Sequence, residues 1–280
     1  MANTIVSAQE VRDHLDDPQW VLVDCRYALG DPAFGLQRYN DAHLPGAFYA
    51  DLERDLSGTT TGTNGRHPMP DPSVFAAFLE SLGVGEQTQL VAYDTGGDML
   101  AARCWFLARW IGHDAVAVLD GGFAGWQALG FPTTSAAPSA RRRGLQTIAL
   151  HRDRVVDATF VLEHLQSDDV RVLDARGSDR FAGRNETIDP AGGHIPGALN
   201  RPFKENFDDN GLFKNPLRLR AEFDALGIDA RATIHQCGSG VSACVNLLAM
   251  EHAGLPGSRL YAGSWSEWVA DPSRPVVSEP

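Results

Sequence analysis

Cys237 is followed by Gly238-Ser239-Gly240-Val241-Ser242-Ala243, and it is preceded by the apolar run Ala232-Thr233-Ile234 and then His235-Gln236. From Val241 an apolar-periodic segment continues to His252. This order reads as strand, cysteine, tight loop, helix. Glycines let the backbone curl so that successive N–H groups point inward. The start of the following helix adds partial positive charge at the same place. Such a seat suits an anion, and the sequence supplies one as the thiolate of Cys237. A free thiol titrates near 8.5, so a site that lowers this by about two units makes thiolate the main form at neutral pH. Cys25, in Val21-Leu22-Val23-Asp24-Cys25, and Cys104, in Arg103-Cys104-Trp105-Phe106, sit in apolar runs and read as small buried hydrophobes.

Rival chemistries can be tested on the same residues. A cysteine-dependent phosphatase needs Cys-x5-Arg, and the arginine position is Ala243. A Cys–His–Asn hydrolase needs an oriented base, and no placed histidine is evident. The four cysteines form no C-x-x-C pair and no metal spacing with histidine, so no metal site is expected, and chemistry carried by a cysteine thiolate needs no organic cofactor.

The elements that must hold Cys237 occur twice. Asp24-Cys25-Arg26 reads like Asp174-Ala175-Arg176, and His43-Leu44-Pro45-Gly46-Ala47 like His194-Ile195-Pro196-Gly197-Ala198. Leu90-Val91-Ala92-Tyr93-Asp94 corresponds to Thr233-Ile234-His235-Gln236-Cys237, and Gly121 to Trp126 corresponds to Gly263 to Trp268. With Leu82-Gly83-Val84 and Leu226-Gly227-Ile228 as a fifth pair, five blocks recurring in one order indicate a duplicated domain. The expected division is a first domain over 1–132, a linker over 133–150 and a second domain over 151–280. In each copy short apolar strands alternate with helices, which predicts an α/β fold with a mainly parallel sheet covered on both faces. Ser7 with Glu10 forms a capping box, and Asp157 is a second N-cap. Sites in such sheets lie beyond the carboxyl ends of the strands. There the first copy carries Asp94, which cannot do thiolate chemistry, so that copy is expected to be silent. The loop from Thr59 to Pro70 is turn-rich and either covers a site or is solvated. The Arg141-Arg142-Arg143 run reads as solvated surface.

Composition narrows the class. The chain has 280 residues, 43% hydrophobic and 21% charged, which suits one large or two ordinary soluble domains. A net charge of −12 argues against a nucleic-acid or anionic-membrane binder. The N-terminal residues lack the pattern of a secretory signal, and no run is long enough to span a membrane. Free thiols fit a reducing, cytoplasmic setting.

With both His-x-Pro-Gly-Ala turns and a single cysteine loop in hand, the chain resembles the two-domain rhodanese-like sulfurtransferases from about Ile5 to Trp268. The resemblance implies ping-pong sulfur transfer through a Cys237 persulfide. Gly238 to Ala243 would stabilise the anion, and a thiol acceptor such as a thioredoxin-like protein, or cyanide, would take the sulfur. Gly238-Ser239 follow the cysteine where the thiosulfate branch carries cations, so the loop is similar to that of the 3-mercaptopyruvate branch. Arg180, in Arg180-Phe181-Ala182-Gly183, matches the family's first substrate-binding arginine. The second, in Glu-Pro-Arg, is absent: Asp189-Pro190 stands there, and Arg184 is the substitute offered by the same stretch. His43 matches a first-domain histidine of accessory function, although its repetition as His194 also fits a purely structural turn. Arg176 reads as a brace paired with Asp174. The alternatives are a thiosulfate sulfurtransferase and a persulfide carrier of low turnover.

Overall fold

The structure, a computed structural model, describes residues 2–139, 148–167 and 169–278. The arginine run at 141–143 lies outside the described residues, as does part of the expected linker. The chain forms two units. One holds the residues up to Gly58, Pro70 to His151 and Phe207–Phe213; the other holds Thr59–Met69, Arg152–Asn206 and the residues from Lys214 onward. The expected boundary is therefore crossed twice, by a short arm from each repeat.

In the first unit β1 (Ile5–Val6), α1 (Ala8–Asp13), β2 (Trp20–Asp24), α2 (Phe34–Asp41), β3 (Phe48–Tyr49), α3 (Pro72–Ser81), β4 (Gln89–Tyr93), α4 (Leu100–Trp110), β5 (Val116–Leu119) and α5 (Gly122–Ala128) follow one another. The parallel sheet has the order β1-β5-β4-β2-β3. In the second unit β6 (Val155–Val156), α6 (Ala158–Glu163), β7 (Arg171–Asp174), α7 (Ser178–Phe181), β8 (Leu199–Asn200), α8 (Pro216–Asp224), β9 (Thr233–Gln236), α9 (Ala243–His252), β10 (Arg259–Tyr261) and α10 (Ser264–Trp268) repeat the pattern. Their sheet runs β6-β10-β9-β7-β8, again parallel.

The local chemistry accounts for these elements. Ser7 Oγ accepts the Glu10 N–H at 3.2 Å to start α1, and Asp157 Oδ1 accepts the Phe160 N–H at 2.8 Å to start α6. Pro72 and Pro216 stand in the first turns of α3 and α8, where no intrahelical N–H is needed. β4 and β9 are buried along their whole length, as central strands of a covered sheet should be. Trp126, Trp265 and Trp268 are fully buried in the two cores.

Both Asp-x-Arg motifs are internal braces. Arg26 donates to both Asp24 oxygens and to Ala42 O, and its guanidinium lies 4.0 Å from the Phe123 ring centre. Arg176 does the same with Asp174, Gly193 O and the Trp265 ring, at 4.4 Å. Each such pair is buried with its charges matched and hydrogen-bonded, so removing one partner would strand the other. The two His-x-Pro-Gly turns also match. His43 Nδ1 is 2.7 Å from Tyr39 O and its ring stacks on Tyr39; His194 Nδ1 is 2.9 Å from Phe181 O and stacks on Phe181. Each histidine also exchanges backbone hydrogen bonds with the segment that closes its unit, at Thr134 and Val277.

Candidate active site

β9 delivers Cys237 to the carboxyl edge of its sheet, and the chain curls through Gly238–Ser242 before α9 begins. Cys237 is 2% exposed, and its Sγ accepts the Gly240 N–H at 3.1 Å. Gly240 has φ +77°, and a Cβ there would lie 2.2 Å from Ala262 O, so only glycine fits. The start of α10 grips the loop from its other side. Cys237 N–H donates to Ser264 Oγ, Trp265 N–H to Cys237 O and Ser266 N–H to Gly238 O, at 3.1, 2.9 and 2.9 Å. Ser264 has φ +55°, the one positive value at a non-glycine residue among the described ones. Its Oγ donates in turn to Tyr261 O at 2.9 Å, so the strained residue is held at both ends. Val241, Ser242 and Ala243 are buried at the head of α9. All four cysteines are free thiols. Behind the loop His235 is fully buried, and burial pushes its pKa down to about 3.

The second unit's arm, Thr59–Met69, lies on this loop. Asn64 shapes it, accepting the Thr61 N–H and donating to Thr59 O. The arm is exposed at its tip and buried at His67 and Pro68. A Cβ on Gly65 would meet Gly263 O at 2.7 Å, so the arm approaches α10 backbone to backbone. Arg66 N–H donates to Ser266 Oγ at 3.0 Å. His67 is 5% exposed, and its Nδ1 is 2.7 Å from Ser239 Oγ, two residues beyond Cys237.

Arg180 comes from α7. Its Nε and Nη2 bind Glu186 at 3.0 and 2.9 Å, and Nη2 also reaches Asp189 at 3.1 Å. Glu186 accepts the N–H groups of Ile188 and Asp189; burial raises its pKa, but these bonds and Arg180 leave it below the usual carboxylate value. A Cβ on Gly238 would lie 3.7 Å from both Arg180 Nη atoms and 3.2 Å from Arg66 Nη2. Glycine after the cysteine thus leaves room for two guanidinium groups.

The structure therefore gathers Cys237, Gly238, Ser239, Gly240, Val241, Ser242, Ala243 and Arg180. Arg184 is exposed, with its backbone N–H on Asp179 O. His43 belongs to the first unit, with its two ring nitrogens facing the carbonyls of Tyr39 and Ala136. Arg66 and His67 escaped sequence reasoning. The available signal was an Arg-His pair in a loop otherwise built of Thr, Gly, Asn, Pro and Met, but nothing in the sequence says which repeat that loop joins.

The matching position of the first unit is filled by its own carboxylate. Asp94 accepts N–H groups from Gly96 and Ala101, both at 3.0 Å, and is buried. Burial and nearby Asp98 push its pKa up to about 7 against those bonds. An arm covers this loop too. In Phe207–Phe213 the Phe207 and Phe213 rings lie 4.5 Å apart, and Phe213 N–H donates to Asp120 Oδ1 at 2.9 Å. The first arm follows β3 and the second follows β8, so the two repeats have made a reciprocal exchange.

Comparison with known proteins agrees with this architecture. A family model described as Rhodanese-like domain matches residues 7–129 and 157–271. A probable 3-mercaptopyruvate sulfurtransferase of Pseudomonas aeruginosa is 43% identical over 278 residues, covering 98% of each chain. Thiosulfate sulfurtransferase of Bos taurus is 35% identical, covering 93% of this chain and 89% of the relative. The crystal structure of a 3-mercaptopyruvate sulfotransferase from Escherichia coli superposes with a TM-score of 0.82 at 33% identity, covering 94% of this chain and 99% of that one. Two parallel five-stranded repeats, one cysteine loop and full-length relatives lead to one conclusion: the chain belongs to the rhodanese-like family of sulfurtransferases.

Proposed function

We propose that this protein is a 3-mercaptopyruvate sulfurtransferase with Cys237 as its nucleophile. The observation that carries the reading is the seat of the thiol: Sγ on the Gly240 N–H, guanidinium groups over Gly238, and Ser239 joined to His67. The Cys237 thiolate attacks the donor sulfur. The carbon–sulfur bond breaks, and its electron pair passes to the methylene carbon as the enolate of pyruvate. Arg180 holds the donor carboxylate by directed, charge-assisted hydrogen bonds. Ser239 donates to the donor carbonyl oxygen as charge develops there, and His67 holds the hydroxyl in place. The enolate takes up a proton and leaves as pyruvate. The sulfur stays on Cys237 as a persulfide, stabilised by the loop N–H groups from Gly238 to Ala243. A second thiol, small or carried by a thioredoxin-like protein, attacks the outer sulfur and releases the Cys237 thiolate.

The free thiols suit a reducing cytoplasm, and no helix among the described residues is long and apolar enough to cross a membrane. Thiosulfate is the second candidate donor, favoured by the identity to the Bos taurus enzyme. Parallel assays with the two donors at matched concentration decide between them. Higher kcat/KM with 3-mercaptopyruvate is expected, together with a one-sulfur mass increment that a small thiol removes. Equal or higher efficiency with thiosulfate overturns the donor assignment. Full activity in Cys237→Ser overturns the mechanism.

A further inference from the structure

We propose that the silent repeat carries a ligand site of its own, a cavity that takes a monocarboxylate with an apolar body. The cavity holds about 420 Å³ and lies wholly within the first unit, with Arg26, Phe34, Arg38, Thr95, Phe123 and Ala124 in its lining. Thr95 follows Asp94, so the cavity stands at the carboxyl edge of that sheet, where ligands of α/β folds bind.

The two repeats can be matched here through their histidines. Tyr39 stacks on His43 and Phe181 on His194, both at 3.9 Å, and each aromatic residue's carbonyl faces its histidine Nδ1. The residues just before these two are therefore equivalent, and Arg38 stands in the first repeat where Arg180 stands in the second. Arg26 and Arg176 are matched already as braces on Asp24 and Asp174. What joins the paired arginines differs. In the second repeat Glu186 does so: it accepts from Arg180 Nη2 and Nε at 2.9 and 3.0 Å, and its Oε2 is 3.7 Å from Arg176 Nη1. In the first repeat no carboxylate among the described residues bridges Arg26 and Arg38. Arg26 is 4% exposed, and its Nε and Nη2 are taken by Asp24, Arg38 O and Ala42 O, which leaves Nη1 outside the brace. Arg38 pairs with Asp41 at 3.5 Å, and both side chains are more than half exposed, so that pair is weak and easily exchanged. The cavity thus lies against the two arginines that an internal carboxylate joins in the other repeat. A ligand carboxylate supplies the missing acceptor through charge-assisted hydrogen bonds to Arg26 Nη1 and the Arg38 guanidinium.

The remaining lining says what carries that carboxylate. Phe123 is buried, Phe34 is half-buried, and Ala124 is exposed beside Phe123 in α5. These side chains give the cavity an apolar wall beside its cations, and its volume is that of a site for ligands well beyond a three-carbon acid. A hydrophobic monocarboxylate fits both features.

Isothermal titration of the full-length protein with 3-phenylpropionate tests the proposal, with neutral 3-phenylpropanamide and ring-less propionate as matched probes. The wild type is expected to bind 3-phenylpropionate at this site, the amide roughly 10-fold or more weakly for want of charge-assisted bonds, and propionate roughly 10–100-fold more weakly for want of the buried ring. Arg38→Ala weakens 3-phenylpropionate roughly 10-fold or more and leaves the amide within about two-fold. Arg38→Lys recovers part of the loss, since it restores charge without the fork. Ala124→Trp fills the cavity and abolishes binding of both ring-bearing probes, with the fold checked by circular dichroism. Arg180→Ala separates this site from that of Cys237 and leaves the affinity unchanged. Absence of binding by the wild type overturns the proposal, as does an affinity that Arg38→Ala and Ala124→Trp leave unchanged. Loss of binding in Arg180→Ala with retention in Arg38→Ala also overturns it, because the probe then lies in the second repeat.

Discussion

At the scale of the residue, the proposed chemistry is concentrated in a few contacts around Cys237. Gly238→Ala places a methyl group 3.2 Å from Arg66 Nη2. The guanidinium must retreat, so KM for a carboxylate donor is expected to rise several-fold with the fold intact; unchanged kinetics would show that the space above Gly238 is not used. Ser239→Ala and His67→Gln remove the two ends of one 2.7 Å contact. If they act as a unit in general acid chemistry, each lowers kcat by roughly 10²–10⁴, and the double variant costs no more than the worse single one. Additive losses would separate their roles. His235 makes a different prediction. Burial holds its pKa at about 3, whereas a histidine in the unfolded chain titrates near 6.5. The unfolded state therefore binds the extra proton first as pH falls. The stability of the neutral ring is complete above about pH 6.5 and is lost towards pH 3, with a slope approaching ~1.4 kcal/mol per pH unit. Denaturant titrations across that window should be flatter for His235→Leu by about one proton, and parallel curves would refute the assignment.

At the scale of the element, the two repeats are one scaffold with different anions in the same seat. Asp94 receives loop and helix N–H groups where Cys237 receives that of Gly240. Asp94→Cys in a Cys237→Ser background would put a thiol in the silent loop, beneath an arm that offers Phe207, Asp208 and Asp209 but no cation. No sulfur transfer from a carboxylate donor is expected; measurable turnover would mean that the glycine loop alone suffices. The strands and helices that carry these loops were legible in the sequence because their signals are local. Ser7 and Asp157 cap the helices that their place in the sequence predicts, and the apolar runs at 89–93, 116–119 and 233–236 form β4, β5 and β9. The brace of Asp174 and Arg176 follows from residues two apart. The helix α2 leaves little trace in the sequence, because Phe34 to Asp41 is mostly polar and its N-cap makes no side-chain hydrogen bond. Arg66 and His67 were missed for another reason: their partners Asp189 and Ser239 lie far along the chain, in a different repeat, and no local pattern encodes such a pairing.

At the scale of the molecule, the duplicated chain is held to its present form by the arms. Replacing residues 60–67 with a Gly/Ser segment of equal length should leave the two sheets folded by circular dichroism and abolish turnover of a carboxylate donor, because Arg66 and His67 go together. Retained turnover would overturn the arm's place in the site. The exchange also bears on descent. After a duplication, an inactive copy is ordinarily free to decay or to be excised, and the active copy is free to travel alone. Here each repeat has lodged a segment in the other's unit. Recombination that carried off the half bearing Cys237 would leave behind the arginine and histidine that sit over it. Mutual dependence of this kind would preserve a repeat expected to perform no chemistry, by a route in which selection acts on a borrowed loop and not on the fold that it came from.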